Sequence, residues 1–243
     1  MIDISDAWVA DLAAHAEACY PAECCGLVVR SGDQVAYRPC ANVAQRGQSE
    51  FEIDPRDWAA AEDSGEILAV CHSHPDESAN PSMADRVMCE RSGLPWIIIG
   101  WPSQVVKRAD PTGWSAPLVG REFHHGVLDC YTLIQDYYRT ELGLTLPDFA
   151  RVDGWWERGQ NLYRENFAAA GFTEVNDLPQ VHDVILMQVR SDVENHAAVV
   201  LAGGQILHHL HGRLSCRDVY GGYWQRVTRT VLRHNSLLAG ASA

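Results

Sequence analysis

A stretch rich in turn-forming residues divides this chain near its middle. Residues 110–120 read Asp-Pro-Thr-Gly-Trp-Ser-Ala-Pro-Leu-Val-Gly, and they interrupt the periodic patterns on both sides. Prolines and glycines clustered in this way favour a loop over a helix or a strand. We therefore predict two domains of about 115 residues each, residues 1–110 and 121–243, joined by a linker over residues 111–120.

Both halves mix helical and extended segments, a pattern that predicts an α+β fold in each domain. Helical spacing of apolar residues, with Ser5 as the first N-cap, predicts helices over residues 1–20, 54–64, 81–92 and 129–142. Short apolar runs bounded by turn residues predict strands over residues 26–30, 34–37, 67–71, 96–100, 105–107, 183–189, 196–201 and 205–210.

The charge and hydropathy of the chain exclude several classes of protein. The net charge is −13, which opposes binding along a nucleic-acid backbone. The apolar stretch over residues 94–106 is shorter than the ~20 residues of a bilayer-spanning helix. Asp3 and Asp6 stand where a signal peptide carries basic residues. We therefore expect no nucleic-acid partner, no membrane-spanning segment and no export by a standard pathway.

The eight cysteines form no recognisable zinc-ribbon or thioredoxin motif, because no Cys-x-x-Cys pair is present. Without a signal peptide the chain is expected in a reducing compartment, where thiols stay free. Most of these cysteines are then predicted to be small, buried core residues.

Two histidines follow a predicted strand in the motif Cys-His-Ser-His-Pro, residues 71–75. Side chains two positions apart on a strand point to the same side, so His72 and His74 can share one ion. A carboxylate in the next helix, Asp85, can complete three protein ligands and leave a fourth position for water. This is the ligand set of a catalytic zinc, and Glu23 is the candidate base for the water proton.

Ser82 and Asp85 also satisfy a second interpretation. A serine followed three residues later by an acid is a helix-capping signature, and for these two residues alone we favour that role. The combination of His-x-His-Pro, six residues, and Ser-x-x-Asp with an upstream Glu-Cys-Cys-Gly resembles the MPN/JAMM metallopeptidase family. That resemblance covers the first 108 residues. It implies Zn²⁺ ligands at His72, His74 and Asp85, a general base at Glu23, and a hydrogen-bond donor to the tetrahedral intermediate at Ser82.

A cysteine begins the helix predicted in the second half. Asp129 can cap this helix, and the free N–H groups and dipole of its first turn favour a thiolate at Cys130. We therefore expect the pKa of Cys130 below its usual ~8.5, although a buried structural thiol is the alternative. A nucleophilic thiol needs a base, and His196 on a predicted strand is the candidate.

The turn near Gly203 and Gly204 decides which later histidine can orient His196. A two-residue turn places His209 and His211 on the face of His196, whereas a three-residue turn places His208 there. The alternation of strand side chains leaves both registers open.

The segments Asp-Cys, Asn-His-Ala-Ala-Val-Val-Leu and Ile-Leu-His resemble the NlpC-type cysteine peptidases, which are papain-like. The resemblance implies catalytic roles for Cys130, His196 and His208, and its usual spacing favours the three-residue turn. The family's Asp-Cys-Ser-Gly is Asp-Cys-Tyr-Thr here, and its upstream tyrosine is not evident. Only the Cys130 backbone N–H is expected as an oxyanion donor.

An MPN/JAMM-like domain followed by an NlpC-type domain, with the motif Arg-x-Phe-x-His-Gly-Val-Leu-Asp-Cys-Tyr, resembles tail tip proteins of phages with long, non-contractile tails. This resemblance implies cleavage of the γ-D-glutamyl–diaminopimelate bond in peptidoglycan stem peptides. It also implies other tail tip proteins as partners, at the virion tail tip and in the host cytoplasm during assembly. The alternatives are a structural tail subunit with silent sites and a bacterial cytoplasmic enzyme of wall recycling.

Overall fold

Each half of the chain folds as a β-sheet with helices packed against it. The structure is a computed structural model that describes residues 8–44, 47 and 50–239. The predicted N-cap Ser5 lies outside these residues. The chain forms two units, residues 1–115 and residues 116–243. Their mixed secondary structure confirms the predicted two-domain α+β class.

The described part of the first unit contains α1 (Trp8–Cys19), β1 (Cys25–Ser31), β2 (Gln34–Cys40), α2 (Pro55–Ser64), β3 (Glu66–Pro75), α3 (Met83–Ser92), β4 (Trp96–Trp101) and β5 (Val106–Ala109). The strands are ordered β2-β1-β3-β4-β5. Strands β3 and β4 run parallel, and the other neighbouring strands run antiparallel.

Helices cover both faces of this sheet. Helix α1 packs on one face, whereas α2 and α3 pack on the other with Val70 of β3. Side chains alternate along a strand, so His72 and His74 share the face of Val70. The strand predicted to end at residue 71 continues to Pro75, because its last residues pair with β4. The histidine motif therefore lies within a central strand.

The second unit contains α4 (Cys130–Leu142), a 3-10 helix (Trp155–Arg158), α5 (Leu162–Asn166), β6 (Phe172–Val175), β7 (Val184–Met187), β8 (His196–Leu201), β9 (Gln205–His208), β10 (Cys216–Val219), α6 (Tyr223–Val227), β11 (Thr228–His234) and α7 (Asn235–Ala239). The sheet is antiparallel, in the order β10-β9-β8-β7-β11-β6. Helix α4 packs through Leu133 and Tyr138 against Val199 and Leu207. No helix in the described ranges has the length and apolar character needed to cross a bilayer.

The segment predicted as a linker is held at both of its ends. Backbone N–H groups of Thr112, Gly113 and Trp114 donate to the carboxylate of Glu90 in the first unit. In the second unit, the fully buried Arg121 donates from Nη2 to the carbonyl oxygen of Ala116 at 2.9 Å. The change from one unit to the next lies between residues 115 and 116.

Candidate active sites in the two units

Three side chains that can bind a metal meet between β3 and the start of α3. Nε2 of His72 lies 3.0 Å from Nε2 of His74. The two oxygens of Asp85 each lie 3.3 Å from one of these nitrogens. All three side chains are buried. The structure thus brings together the three residues predicted as metal ligands.

The donor atoms of this cluster fit a zinc ion. Nδ1 of His74 lies 2.8 Å from the carbonyl oxygen of Ser78. A carbonyl only accepts, so Nδ1 carries the proton and the lone pair of Nε2 points at the cluster. Zinc bonds of about 2.0–2.1 Å at tetrahedral angles separate their ligand atoms by about 3.3–3.4 Å. The distances between these side chains are close to that value, so an ion of this size fits between them.

Asp85 satisfies both interpretations of the sequence at once. Ser82 caps α3 by accepting from the Asp85 N–H, and Asp85 Oδ2 accepts from the Ser82 N–H at 2.7 Å. The same carboxylate faces both imidazoles. Burial would raise the pKa of Asp85, but the facing imidazoles of His72 and His74 hold it well below the usual range. The capping box therefore fixes the carboxylate in position for the cluster, and Ser82 remains exposed beside it.

Glu23 immediately precedes Cys24 and β1, close to the histidine motif in space. The Cys24 N–H donates to Ser73 Oγ at 2.8 Å, which ties the Glu23 segment to β3 between the two histidines. Burial raises the pKa of Glu23 to about 8, and His74 offsets part of that rise. A carboxyl group with such a pKa can hold and release a proton near neutral pH, as the predicted general base requires.

Asp129 organises the start of α4 in the second unit. Its Oδ1 accepts from the Tyr131 and Thr132 N–H groups, so it caps the helix as predicted. Arg151 donates from Nε to Oδ2 at 2.7 Å. Burial would raise the pKa of Asp129, but Arg151 and the backbone N–H groups hold it below its usual range. Among the hydrogen bonds of the described residues, none uses the Cys130 N–H, which stays available to a ligand.

The expectation of a lowered pKa at Cys130 is wrong. Burial raises the pKa of this thiol to about 11, and the negative charge of Asp129 adds to the rise. These two effects outweigh the lowering of the pKa by the helix dipole, so the sulfur is protonated at neutral pH. Sγ lies 3.1 Å from the hydroxyl of Tyr163 on α5. The described residues show no hydrogen bond between Sγ and the ring of His196, although the Ala197 N–H lies beside Sγ and lowers the pKa in part.

The turn between β8 and β9 has three residues. Leu201 pairs with Gln205 and Ala198 with His208, as the three-residue alternative predicts. Nε2 of His196 consequently lies 3.1 Å from Nδ1 of His208. His209 is fully buried, whereas His211 is exposed.

A carboxylate completes this chain of hydrogen bonds. Nε2 of His208 lies 3.1 Å from Oδ2 of Asp218. Burial lowers the pKa of both histidines, that of His196 to about 3, so each ring is neutral and carries one proton. Because a carboxylate only accepts, the His208 proton is on Nε2 and its Nδ1 accepts from His196 Nε2–H. His196 Nδ1 is left bare, as a base requires.

Comparison with known proteins identifies the chain. Models of the prokaryotic homologs of the JAB domain and of the NlpC/P60 family match residues 5–115 and 120–233. The tail tip assembly protein K of Escherichia phage N15 is 41% identical over 227 residues, which are 92% of this chain and 93% of that protein. That of Escherichia phage lambda is 42% identical over 190 residues, covering 78% of this chain and 92% of that protein. This chain belongs to the tail tip assembly protein K family.

The chain is also similar to the desampylase of Haloferax volcanii. It is 32% identical over 101 residues, which are 38% of this chain and 66% of that protein.

Sequence reasoning missed three residues of the second site in this member of the family. Arg151 lies in an irregular segment with no periodic signal, and Tyr163 lies in a helix of five residues. Asp218 lies on β10, a four-residue strand with a charged sequence that was not predicted. A search for acids two positions from a cysteine on a short strand would have proposed Asp218, but nothing in the sequence pairs β10 with β9.

Proposed function

We propose that this chain is a tail tip assembly component that cleaves peptidoglycan stem peptides with Cys130 and His196. The phage relatives are named tail tip assembly proteins, and they match over most of their length. The observation that carries the enzymatic part is the hydrogen-bond chain from Asp218 through His208 to His196. These hydrogen bonds leave His196 Nδ1 without a proton. The next residue on the strand, Ala197, has its N–H beside Cys130 Sγ. The bond we propose is that between γ-D-glutamate and diaminopimelate.

The reaction starts from a neutral thiol and a neutral imidazole. Sγ turns away from Tyr163 and transfers its proton to His196 Nδ1 as the sulfur attacks the scissile carbonyl carbon. His196 then gives that proton to the departing amine, and a thioester remains on Cys130. Water, deprotonated by the same nitrogen, hydrolyses the thioester and restores the thiol. Catalytic hydrogen bonds are often long before the substrate binds, which fits the separation of Sγ from the His196 ring.

Two donors are available to the oxyanion that forms on the carbonyl. The Cys130 N–H stands at the start of α4, where the helix dipole favours negative charge. The Tyr163 hydroxyl becomes free when Sγ leaves it, and it lies within reach of an atom bonded to Sγ. Tyr163 thus supplies from downstream a phenol that is absent from residues 121–129, the segment just upstream of Cys130.

The first unit carries the features of a zinc metallopeptidase. His72, His74 and Asp85 would hold Zn²⁺, which when bound polarises a water or a carbonyl group. Ser78 fixes the tautomer of His74 through its carbonyl oxygen. Glu23 would take and return the water proton, and the exposed Ser82 hydroxyl would donate to the substrate. The substrate of this unit is a peptide or isopeptide bond.

A purely structural tail subunit is the second candidate. The observation that favours it is the resting state of Cys130, whose protonated thiol bonds to Tyr163 rather than to a base. In this alternative the cysteine unit only packs against other tail tip proteins.

A peptidoglycan digest separates the two candidates. Purified wall from a Gram-negative host is incubated with wild type, Cys130→Ala and Cys19→Ala, and the soluble muropeptides are separated by mass. We expect wild type and Cys19→Ala to release the same products, and Cys130→Ala to release none above background. Cys19 is another partly buried free thiol and lies in the other unit. Equal release of muropeptides by Cys130→Ala and wild type would refute the peptidase function and support the structural role.

A second measurement tests the place of action. We expect the chain in purified virions, bound to other tail tip proteins, and in the host cytoplasm while tails assemble. Its absence from virions, with activity on free wall fragments, would indicate wall recycling instead.

A further inference from the structure

Three ligand atoms of different chemistry converge on the side of His208 that faces away from His196. Nε2 of His208 lies 3.1 Å from Oδ2 of Asp218 and 3.6 Å from Sγ of Cys216. All three atoms lie within 4.8 Å of one another. This group is separate from the His72 cluster and belongs to the other unit.

The strand register explains why these side chains meet. Cys216 on β10 is the direct partner of His208 on β9. Directly paired residues on antiparallel strands present their side chains on the same face. Asp218 stands two residues after Cys216 and therefore shares that face as well. The site is built on two paired strands and needs no loop movement to form.

The distances fit a tetrahedral ion of the zinc type. Bonds of about 2.3 Å to sulfur and 2.0–2.1 Å to nitrogen and oxygen separate tetrahedral ligands by about 3.5 Å for sulfur–nitrogen and about 3.3 Å for nitrogen–oxygen. A thiolate, an imidazole and a carboxylate suit Zn²⁺ and Co²⁺ better than Mg²⁺ or Ca²⁺. Cys216 and Asp218 are partly exposed, so an ion can enter from solvent. Arg213 lies 4.0 Å from Asp218, and its exposed side chain can move away.

We propose that His208, Cys216 and Asp218 bind a divalent ion of the zinc type, and that this ion switches off the cysteine peptidase. The binding itself follows from the donor set alone. The inhibition rests on the proposed function of Cys130 and His196, because it acts through the orientation of His196.

The protons of the hydrogen-bond chain account for the inhibition. An ion on His208 Nε2 needs the lone pair of that nitrogen, so the Nε2 proton leaves to solvent. The His196 Nε2 proton moves to His208 Nδ1, and His196 Nδ1 takes one proton from solvent. The two rings keep their total of two protons, and Cys216 releases one to solvent when its thiolate binds. His196 Nδ1 is then protonated and cannot accept the Cys130 proton.

Cobalt spectroscopy tests the binding without any assay of activity. Co²⁺ is added to the chelator-treated full chain, and the sulfur-to-cobalt charge-transfer band is recorded in the near ultraviolet. The His72 cluster holds no sulfur ligand, so this band reports only a thiolate site. We expect the band in wild type and in Cys130→Ser, and its loss in Cys216→Ser. We also expect Asp218→Asn to weaken Co²⁺ binding by at least about tenfold. A band that persists in Cys216→Ser would overturn the site.

Zinc inhibition tests the switch. Peptidoglycan hydrolysis is measured with added Zn²⁺ and expressed relative to the rate of the same variant in chelator. We expect wild type to be inhibited and Cys216→Ser to need at least about tenfold more Zn²⁺. Equal inhibition of both proteins would overturn the switch and place the inhibiting ion elsewhere, for example on Cys130. Wild type without hydrolysis in chelator would refute the peptidase function, while the cobalt band would still decide the metal site.

Discussion

The hydroxyl of Tyr163 and the thiol of Cys130 are in contact at 3.1 Å, although 33 positions separate them in the chain. We expect Tyr163→Phe to lower kcat for peptidoglycan hydrolysis by about 10²-fold with little change in KM, because loss of one oxyanion donor has this effect. Steady-state kinetics on a defined stem peptide measure both constants. Unchanged kcat would limit the phenol to packing beside the resting thiol.

Tyr131→Phe is the matched control for this variant. Tyr131 follows Cys130 directly, but its exposed hydroxyl donates to the Pro147 carbonyl oxygen and away from the sulfur. Both variants remove a tyrosine hydroxyl close to the N-terminus of α4. We therefore expect kcat within about twofold of wild type, since exposed hydrogen bonds contribute little.

Asp218 fixes the proton positions on two histidines, so we expect Asp218→Asn to lower kcat by at least about tenfold. An asparagine amide can donate to His208 Nε2, which reverses both tautomers and protonates His196 Nδ1. Replacement of a buried triad aspartate in this way costs about 10⁴-fold in rate. Asp218 is partly exposed and reaches His196 only through His208, so we expect a smaller loss. Rates are measured in chelator, so that no metal intervenes. The exposed Asp192 on the same unit provides Asp192→Asn as control, with a rate equal to wild type.

The sequence was sufficient for features that depend on local pattern. Periodicity located α4 and its cap at Asp129. Strand alternation alone left both turns between His196 and His208 open, and the family's usual spacing favoured the three-residue turn that is observed. The cluster of His72, His74 and Asp85 in the first unit also followed from local motifs. Strand alternation and a helix cap are almost sufficient to bring these three side chains together.

Features that depend on distant pairing could not be predicted. Strand β11 lies inside its sheet, between β7 and β6. Its sequence Thr-Arg-Thr-Val-Leu-Arg-His nevertheless carries charges, and Arg233 pairs with Asp183. The pKa of Cys130 was predicted in the wrong direction for a similar reason. The dipole of α4 is visible in the sequence, whereas the burial of the thiol comes from segments far along the chain.

Asp129 and Arg151 form a pair with side chains only 3% and 9% exposed. We expect Asp129→Asn to lower the free energy of unfolding of the second unit by about 3 kcal/mol at pH 7, because it leaves the buried guanidinium of Arg151 without its buried charge partner. The folded pKa of Asp129 lies below its usual ~3.9, so its contribution is complete above about pH 5. It is lost as the pH falls through the folded pKa. The difference between the two proteins in urea unfolding should therefore shrink below about pH 4.

The exposed partner of Arg151 gives the control for that experiment. Asp148 contacts Arg151 at 2.9 Å, but its side chain is 58% exposed. We expect Asp148→Asn to cost at most about 1 kcal/mol. Equal losses for Asp129→Asn and Asp148→Asn would show that burial does not set the strength of the pair.

Asp85 and Ser82 cap α3 together, but only Asp85 faces the two imidazoles, so their variants should separate capping from metal binding. We expect Ser82→Ala to keep zinc and to cost about 1 kcal/mol of stability, the usual cost of a lost N-cap. Asp85→Asn should lose one zinc per chain relative to wild type, and should also be less stable than wild type in chelator.

His72→Ala should lose the same ion without affecting the cap, and Glu23→Gln should keep it. Metal content by mass spectrometry and urea unfolding with and without chelator give both quantities. Full zinc in Asp85→Asn would restrict Asp85 to the helix cap and leave His72 and His74 without a third ligand.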